Sequence, residues 1–184
     1  MNYPHKELNG ILRHMFRKDK NYYKNSLDIA YTGDSLGFVI DFLFDFDSGS
    51  YWLSATRPEM FLSFCFKKGF AYISGYEIKT SASSARASKW AFSGSNNNET
   101  WEERTVVSHN LTLYETYYVE WKKGPFKCYR IDMLNSQDDR YRQFDFMKIE
   151  LFGVFYPENY RYCTKRYRNV FVKSCLFVVL LLIS

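Results

Sequence analysis

The sequence is poor in the residues that punctuate or cross-link a chain: nine glycines, four prolines and four cysteines in 184 residues. That excludes collagen-like, low-complexity and disulfide-dense classes. Cys65, Cys128, Cys163 and Cys175 form no CxxC pair, and His5, His14 and His109 are far apart, so metal-ligand spacing is absent and no metal or other cofactor is expected. No phosphate-cradling glycine-rich loop is present. The opening MNYPHKELNGILRHMFRKDK lacks the apolar stretch of a secretory signal. The cytoplasmic side is therefore expected, with reduced thiols and with the sequons Asn98-Glu99-Thr100 and Asn110-Leu111-Thr112 silent.

Acidic residues are missing from the C-terminal tail. All 20 lie at or before Glu158, whereas Arg161, Lys165, Arg166, Arg168 and Lys173 follow it. Removing those five from the 25 basic residues leaves 20 against 20, so residues 1–160 are formally neutral. Duplex-binding bodies usually carry a basic face, so no nucleic-acid partner is expected. The basic tail suits an acidic surface, most simply an anionic lipid leaflet. It runs into Cys175–Ile183, nine apolar residues. The longer apolar-rich stretch from Val170 includes Phe171, Leu176, Phe177, Val178 and Leu180 and is interrupted by Lys173 and Ser174. As a helix of ~1.5 Å per residue it reaches roughly 21 Å, short of a ~30 Å hydrocarbon core. It reads as a membrane contact with Lys173 snorkelling, as a terminal element packed on the domain, or as an artefact of the gene reading.

What the chain has in abundance is aromatic surface: 17 Phe, 16 Tyr and four Trp, 20% of all residues. A chain so composed can fill a large core. The aromatics fall at period two. Met60, Leu62, Phe64 and Phe66 share a face, as do Tyr76 and Ile78, Trp90 and Phe92, and Tyr117, Val119 and Trp121; Tyr129, Ile131 and Met133 make another set, and Met147, Ile149 and Leu151 a last one. Turn-forming clusters separate them at 47–50, 80–88, 94–100 and 135–139. The pattern predicts an all-β antiparallel sandwich or barrel. Only residues 6–19 predict a helix, with Leu8, Ile11, Leu12 and Met15 on one stripe and Gly10 as its weak point. The segment FVIDFLFDF at 38–46 is aromatic and β-prone. The expected organisation is a helical lead-in over 1–20, a sandwich over 21–157, and a basic linker with an apolar tail over 158–184.

Several ordered blocks resemble one family. Asp45-Phe-Asp47-Ser-Gly-Ser-Tyr51-Trp52-Leu-Ser54 is followed by Phe61-Leu-Ser-Phe64-Cys-Phe66-Lys67, by Tyr76-Glu-Ile78-Lys79-Thr80, and by Lys89-Trp90-Ala-Phe-Ser-Gly94-Ser95-Asn96 with Trp101 beyond it. Phe126-Lys-Cys-Tyr-Arg130-Ile131 and Ile149-Glu150-Leu-Phe152-Gly153 complete the set. Together they resemble the discoidin domain, the coagulation factor 5/8 type C or galactose-binding-like family. The opening Leu8-Asn-Gly10-Ile11-Leu12 resembles versions from unicellular eukaryotes. Cys65 stands where that family usually has Asp, and the two terminal cysteines of its secreted versions are missing, which favours an intracellular form.

The resemblance implies a jelly-roll sandwich that binds sugars, lipid head groups or proteins through loops at one end. It places those loops near 32–38, 48–57 and 80–88. Trp90, Trp101, Tyr76, Ile78, Phe64 and Ile149 would be structural core, with Gly153 ending a strand. Asp47, Tyr51, Trp52, Arg57 and Arg86 would form a polar-aromatic site for a glycan or protein ligand; the competing reading makes Tyr51 and Trp52 core aromatics and the charges solvated. The expected role is a non-catalytic binding, adhesion or adaptor module. The alternative is a small serine esterase built on Ser35, because Gly33-Asp34-Ser35-Leu36-Gly37 fits Gly-x-Ser-x-Gly. That chemistry needs a histidine base and an orienting acid. His109, the last histidine, has Val106 three residues before it, so the C-terminal Asp-x-x-His of that lipase family is absent.

Overall fold

The computed structural model describes residues 10–158, apart from 36, 38, 48, 58, 81–86, 109–113, 120–123 and 137–142. In chain order the elements are α1 (Ile11–Lys18), α2 (Tyr22–Ser26), β1 (Leu27–Tyr31), α3 (Asp41–Phe44), β2 (Trp52–Leu53), β3 (Met60–Phe66), β4 (Phe70–Thr80), β5 (Ala87–Ser95), β6 (Glu102–Val107), β7 (Tyr114–Tyr118), β8 (Cys128–Ser136) and β9 (Asp145–Tyr156). The strands form a five-stranded sheet, β1-β3-β8-β5-β6, and a four-stranded sheet, β2-β9-β4-β7. Every pairing is antiparallel.

Period two puts the aromatic faces against each other. Leu62 lies opposite Ile131 and Phe64 opposite Tyr129, so β3 and β8 present one apolar surface. Trp90 and Phe92 on β5 continue it, and Ile73, Tyr76 and Ile78 on β4 with Ile149 and Leu151 on β9 meet it from the other sheet; all are buried. The two layers touch ring to ring. Tyr76 and Phe92 have centroids 4.3 Å apart, and Trp90 meets Tyr117 edge-on at 5.0 Å. Trp90 Nε1 donates to Tyr76 Oη at 2.9 Å, so an indole N–H that burial would otherwise strand is paired across the sandwich. Trp101 is different. It is half-buried on the outer side, where the Arg130 guanidinium lies 5.6 Å from its ring and 4.3 Å from that of Phe61. The expectation that Trp101 joins the core is therefore corrected.

Gly153 lies inside β9, opposite Ile73 and beside a register shift, rather than at a strand end. Its φ is +151°, and a Cβ there would fall 1.9 Å from the Tyr72 carbonyl oxygen, so glycine is required by the close approach of β4. The expected thiols at 65 and 128 are also corrected. Cys65 and Cys128 face each other as a cross-strand pair of β3 and β8 and are joined by a disulfide. Neighbouring Phe66 donates its N–H to Lys127 O, so the cysteines occupy the close, non-hydrogen-bonded position, with Cα atoms 4.0 Å apart. Spacing alone could not reveal this, because the partners are 63 residues apart.

The helix expected over 6–19 is described as α1, eight residues from Ile11, and Leu8 lies outside the described residues. Gly10 is its N-cap rather than a weak point within it. The cap acceptor comes from the far end of the chain: Glu150 on β9 accepts from Leu12 N (2.8 Å) and Leu151 N (2.9 Å) on one oxygen and from Arg13 N (3.0 Å) on the other. A Cβ on residue 10 would lie 2.0 Å from Glu150 Cδ, so only glycine lets the carboxylate reach the helix start. The segment 38–46 contains the one-turn α3 in place of the expected extended chain. Lys148 satisfies that turn, donating through Nζ to Phe42 O at 3.1 Å and to Asp45 O. Burial lowers the Lys148 pKa. Tyr22 and Tyr23 of α2 close the layer, Tyr23 stacking on Phe44 at 5.7 Å.

Two predictions follow from this packing. Trp90→Ala should cost about 3–5 kcal/mol of stability, and Trp90→Phe about 1–3 kcal/mol from leaving the buried Tyr76 hydroxyl without that donor; equal urea midpoints for Trp90→Phe and the parent chain would contradict the cross-sheet bond. Burial raises the Glu150 carboxyl to about 7, against the pull of the Leu151, Leu12 and Arg13 N–H groups and the Arg13 charge. The folded state then binds this proton more tightly than the unfolded chain does. Its contribution is fully present below the ordinary carboxyl value of 4.5 and is lost as pH rises through about 7. The urea midpoint of the parent should fall between pH 5 and 8 relative to that of Glu150→Gln; a parallel pair of profiles would count against it.

Candidate functional site

The two ends of the sandwich differ. At one end β1 begins at Leu27 opposite Phe66, and β9 finishes at Tyr156 opposite Phe70. At the other end lie Tyr31, Met60, Thr80, Ala87 and Ser136, the strand termini from which the long connections depart. Segments 32–35, 53–55 and 143–144 are tied together there. Thr32 N donates to Phe61 O at 3.1 Å, and Phe61 N returns a bond to Thr32 Oγ1 at 2.7 Å. Ser35 N donates to Leu53 O (2.8 Å) and Ala55 N to Gly33 O (2.9 Å), while Ser54 exchanges bonds with Phe144 through its N–H (3.0 Å) and its hydroxyl (2.8 Å). Gly33, at φ +111°, permits the turn that sets Asp34 opposite Ser54.

Asp34 is the organised polar group of this end. Its Oδ1 accepts from Trp52 Nε1 at 2.8 Å and its Oδ2 from Tyr31 Oη at 3.2 Å, yet the residue is exposed. Both oxygens are oriented from below and retain lone pairs toward solvent. The Tyr31 phenol pKa is raised, first by burial and then by the Asp34 charge. Trp52 supports this carboxylate from inside the fold. It is fully buried, with Tyr31 edge-on at 5.8 Å and Phe144 and Phe146 each 6.1 Å away. It cannot stack on a ligand, so its place among the contact residues is corrected in favour of a core role.

The other expected site residues are scattered. Asp47 is exposed but paired with Lys20, in the connection between α1 and α2. Tyr51 is half-buried and Arg57 is exposed. Arg86 lies outside the described residues, as do Trp121, His109 and the whole tail from 159, with Val170, Phe171, Leu176, Phe177, Val178, Leu180 and Ile183. Among the described residues no helix is long and apolar enough to cross a membrane. Tyr31 and Asp34 were missed by sequence reasoning. The available signal was an acid just after a glycine at the end of an apolar strand, but it was absorbed into the Gly-x-Ser-x-Gly pattern.

That pattern does not build a nucleophile turn. Ser35 sits in an extended bridge with its N–H on Leu53 O, and the next helix, α3, is a single turn beginning at Asp41. No group of three His, Cys, Asp or Glu side chains placed to hold a metal occurs among the described residues. The end offers an exposed carboxylate oriented by the half-buried Tyr31 and the buried Trp52, an arrangement able to accept hydrogen bonds from hydroxyl groups.

This is the discoidin-like, galactose-binding-like β-sandwich fold. Solved structures of that kind superpose on it. The C-terminal domain of a chitobiase from Bacteroides fragilis gives a TM-score of 0.58 at 14% identity, covering 72% of this chain and 97% of that one. A CBM32 module from a family 31 glycoside hydrolase of Clostridium perfringens gives 0.57 at 14% identity, covering 71% and 92%. A fucose-binding module of Streptococcus pneumoniae gives 0.55 at 12% identity, covering 69% and 91%. No protein-family profile matches the sequence, and no curated protein does.

If Trp52 supports the end from within, Trp52→Ala should lower unfolding stability by about 3–5 kcal/mol, whereas Arg57→Ala should stay within about 0.5 kcal/mol of the parent. Denaturant titration checks both; a neutral Trp52→Ala would place the indole at the surface.

Proposed function

We propose that the chain is a non-catalytic glycan-binding module that takes its ligand at the open end of the sandwich. The observation that carries this reading is the exposed Asp34 carboxylate, fixed by the Trp52 indole and the Tyr31 hydroxyl. A sugar presents vicinal hydroxyls that donate to such an oxygen pair and C–H faces that lie on tyrosine rings. Asp34 is the acceptor, Tyr31 and Tyr51 supply the apolar edge, and Arg57 donates to ring or hydroxyl oxygens. The fold's likeness to sugar-binding modules, including one named for fucose and one named for chitosan, supports this choice of ligand class.

A glycan array probed with the full chain should return sugar hits. Asp34→Asn should weaken the best of them by about tenfold, equivalent to about 1.4 kcal/mol, with the fold intact by circular dichroism. An array without hits, or binding indifferent to both Asp34→Asn and Arg57→Ala, would reject the assignment. Labelling of Ser35 by a fluorophosphonate probe would restore the hydrolase alternative.

A further inference from the structure

The turn between β5 and β6 lies at the opposite end from Asp34. Ser95, the last residue of β5, is opposite Cys128, and Cys128 is opposite Cys65, so the hairpin rises directly beside the disulfide. Asn97 builds the turn: its Oδ1 accepts from Glu99 N (3.0 Å) and Thr100 N (2.9 Å), and its Nδ2 donates to Thr100 Oγ1 at 2.8 Å. That leaves Asn98 at the tip. It is exposed, its φ is +61°, and it is the one residue other than glycine with positive φ among the described residues. Its backbone N–H donates to Ser95 Oγ at 3.0 Å, while its side-chain amide bonds no described residue. Asn98 is also the first residue of Asn98-Glu99-Thr100.

Two independent features therefore meet on one hairpin. The sequon stands at an exposed tip with nothing packed on its amide, so an attached sugar would project into solvent without displacing a core group. The buried Cys65–Cys128 bond is of a kind that persists where the surroundings are oxidising, which is also where such sequons are used. We infer that Asn98 is an N-glycosylation site and that the chain matures in an oxidising secretory compartment. Asn98 Nδ2 forms a bond to the anomeric carbon of a polyprenyl-pyrophosphate-linked oligosaccharide. The bond from that carbon to the pyrophosphate oxygen breaks, polyprenyl pyrophosphate leaves, and the amide loses one proton. The attached glycan extends from the end opposite Asp34 and leaves the ligand end clear.

The test uses the chain isolated from its own cells. Enzymatic deglycosylation in heavy-oxygen water, followed by peptide mapping, should find Asn98 in the 90–104 peptide converted to labelled aspartate. Mapping without reduction should find the Cys65 and Cys128 peptides linked. A gel shift on deglycosylation should decrease in Asn98→Gln and in Thr100→Ala, which leaves the asparagine in place. A 90–104 peptide seen only unmodified, free thiols at both cysteines, or a shift undiminished by Thr100→Ala would overturn the inference. None of these readouts depends on glycan binding at Asp34.

Discussion

The structure depends on aromatic side chains that close the space between two sheets without leaving a polar atom stranded. Trp90 on the five-stranded sheet and Tyr76 on the four-stranded sheet are both buried, and each could have been a liability. Their mutual hydrogen bond turns a potential desolvation cost into an orienting contact. Phe92 and Tyr117 fix the rings from either side. Because this layer sets how the sheets face each other, it also sets where their ends lie and which connections converge.

The same economy appears at three charged side chains. Glu150 and Lys148 point from the outer side of β9 into the layer made by α1 and α3, and each meets backbone groups left over at a helix end. The carboxylate meets N–H groups at the start of α1 and the ammonium meets carbonyls around α3, the polarity that helix ends favour. At the open end Asp34 accepts from Trp52 and Tyr31 in the same way, but it retains contact with water. That difference separates a group that holds the fold from one that is available to a ligand.

Much of the fold was legible because antiparallel strands half-exposed to water must alternate. Phe64, Tyr76, Ile78, Trp90 and Ile149 could be placed from period and turn chemistry, and the ordered blocks resembling discoidin domains narrowed the architecture. What could not be read depends on contacts distant in sequence. Gly10 looked like a flaw in a helix until Glu150, far along the chain, was found to need its space. The Cys65–Cys128 pairing depends on strand register, and α3 depends on Lys148. At the candidate site, Trp52 shows the limit most clearly. An aromatic in a loop between turn residues has the same sequence signature whether it faces a ligand or lies buried beneath an exposed carboxylate.

The central claim is that the sandwich holds its aromatic layer rigid and offers the Asp34 end to a sugar. Backbone amide chemical shifts recorded during titration with a glycan ligand test it most directly. The account predicts shifts concentrated at 31–35, 51–57 and 143–144, with 67–69 and 96–100 unmoved. Shifts centred on 67–69 and 96–100, with Gly33, Asp34 and Ser54 unaffected, would contradict it.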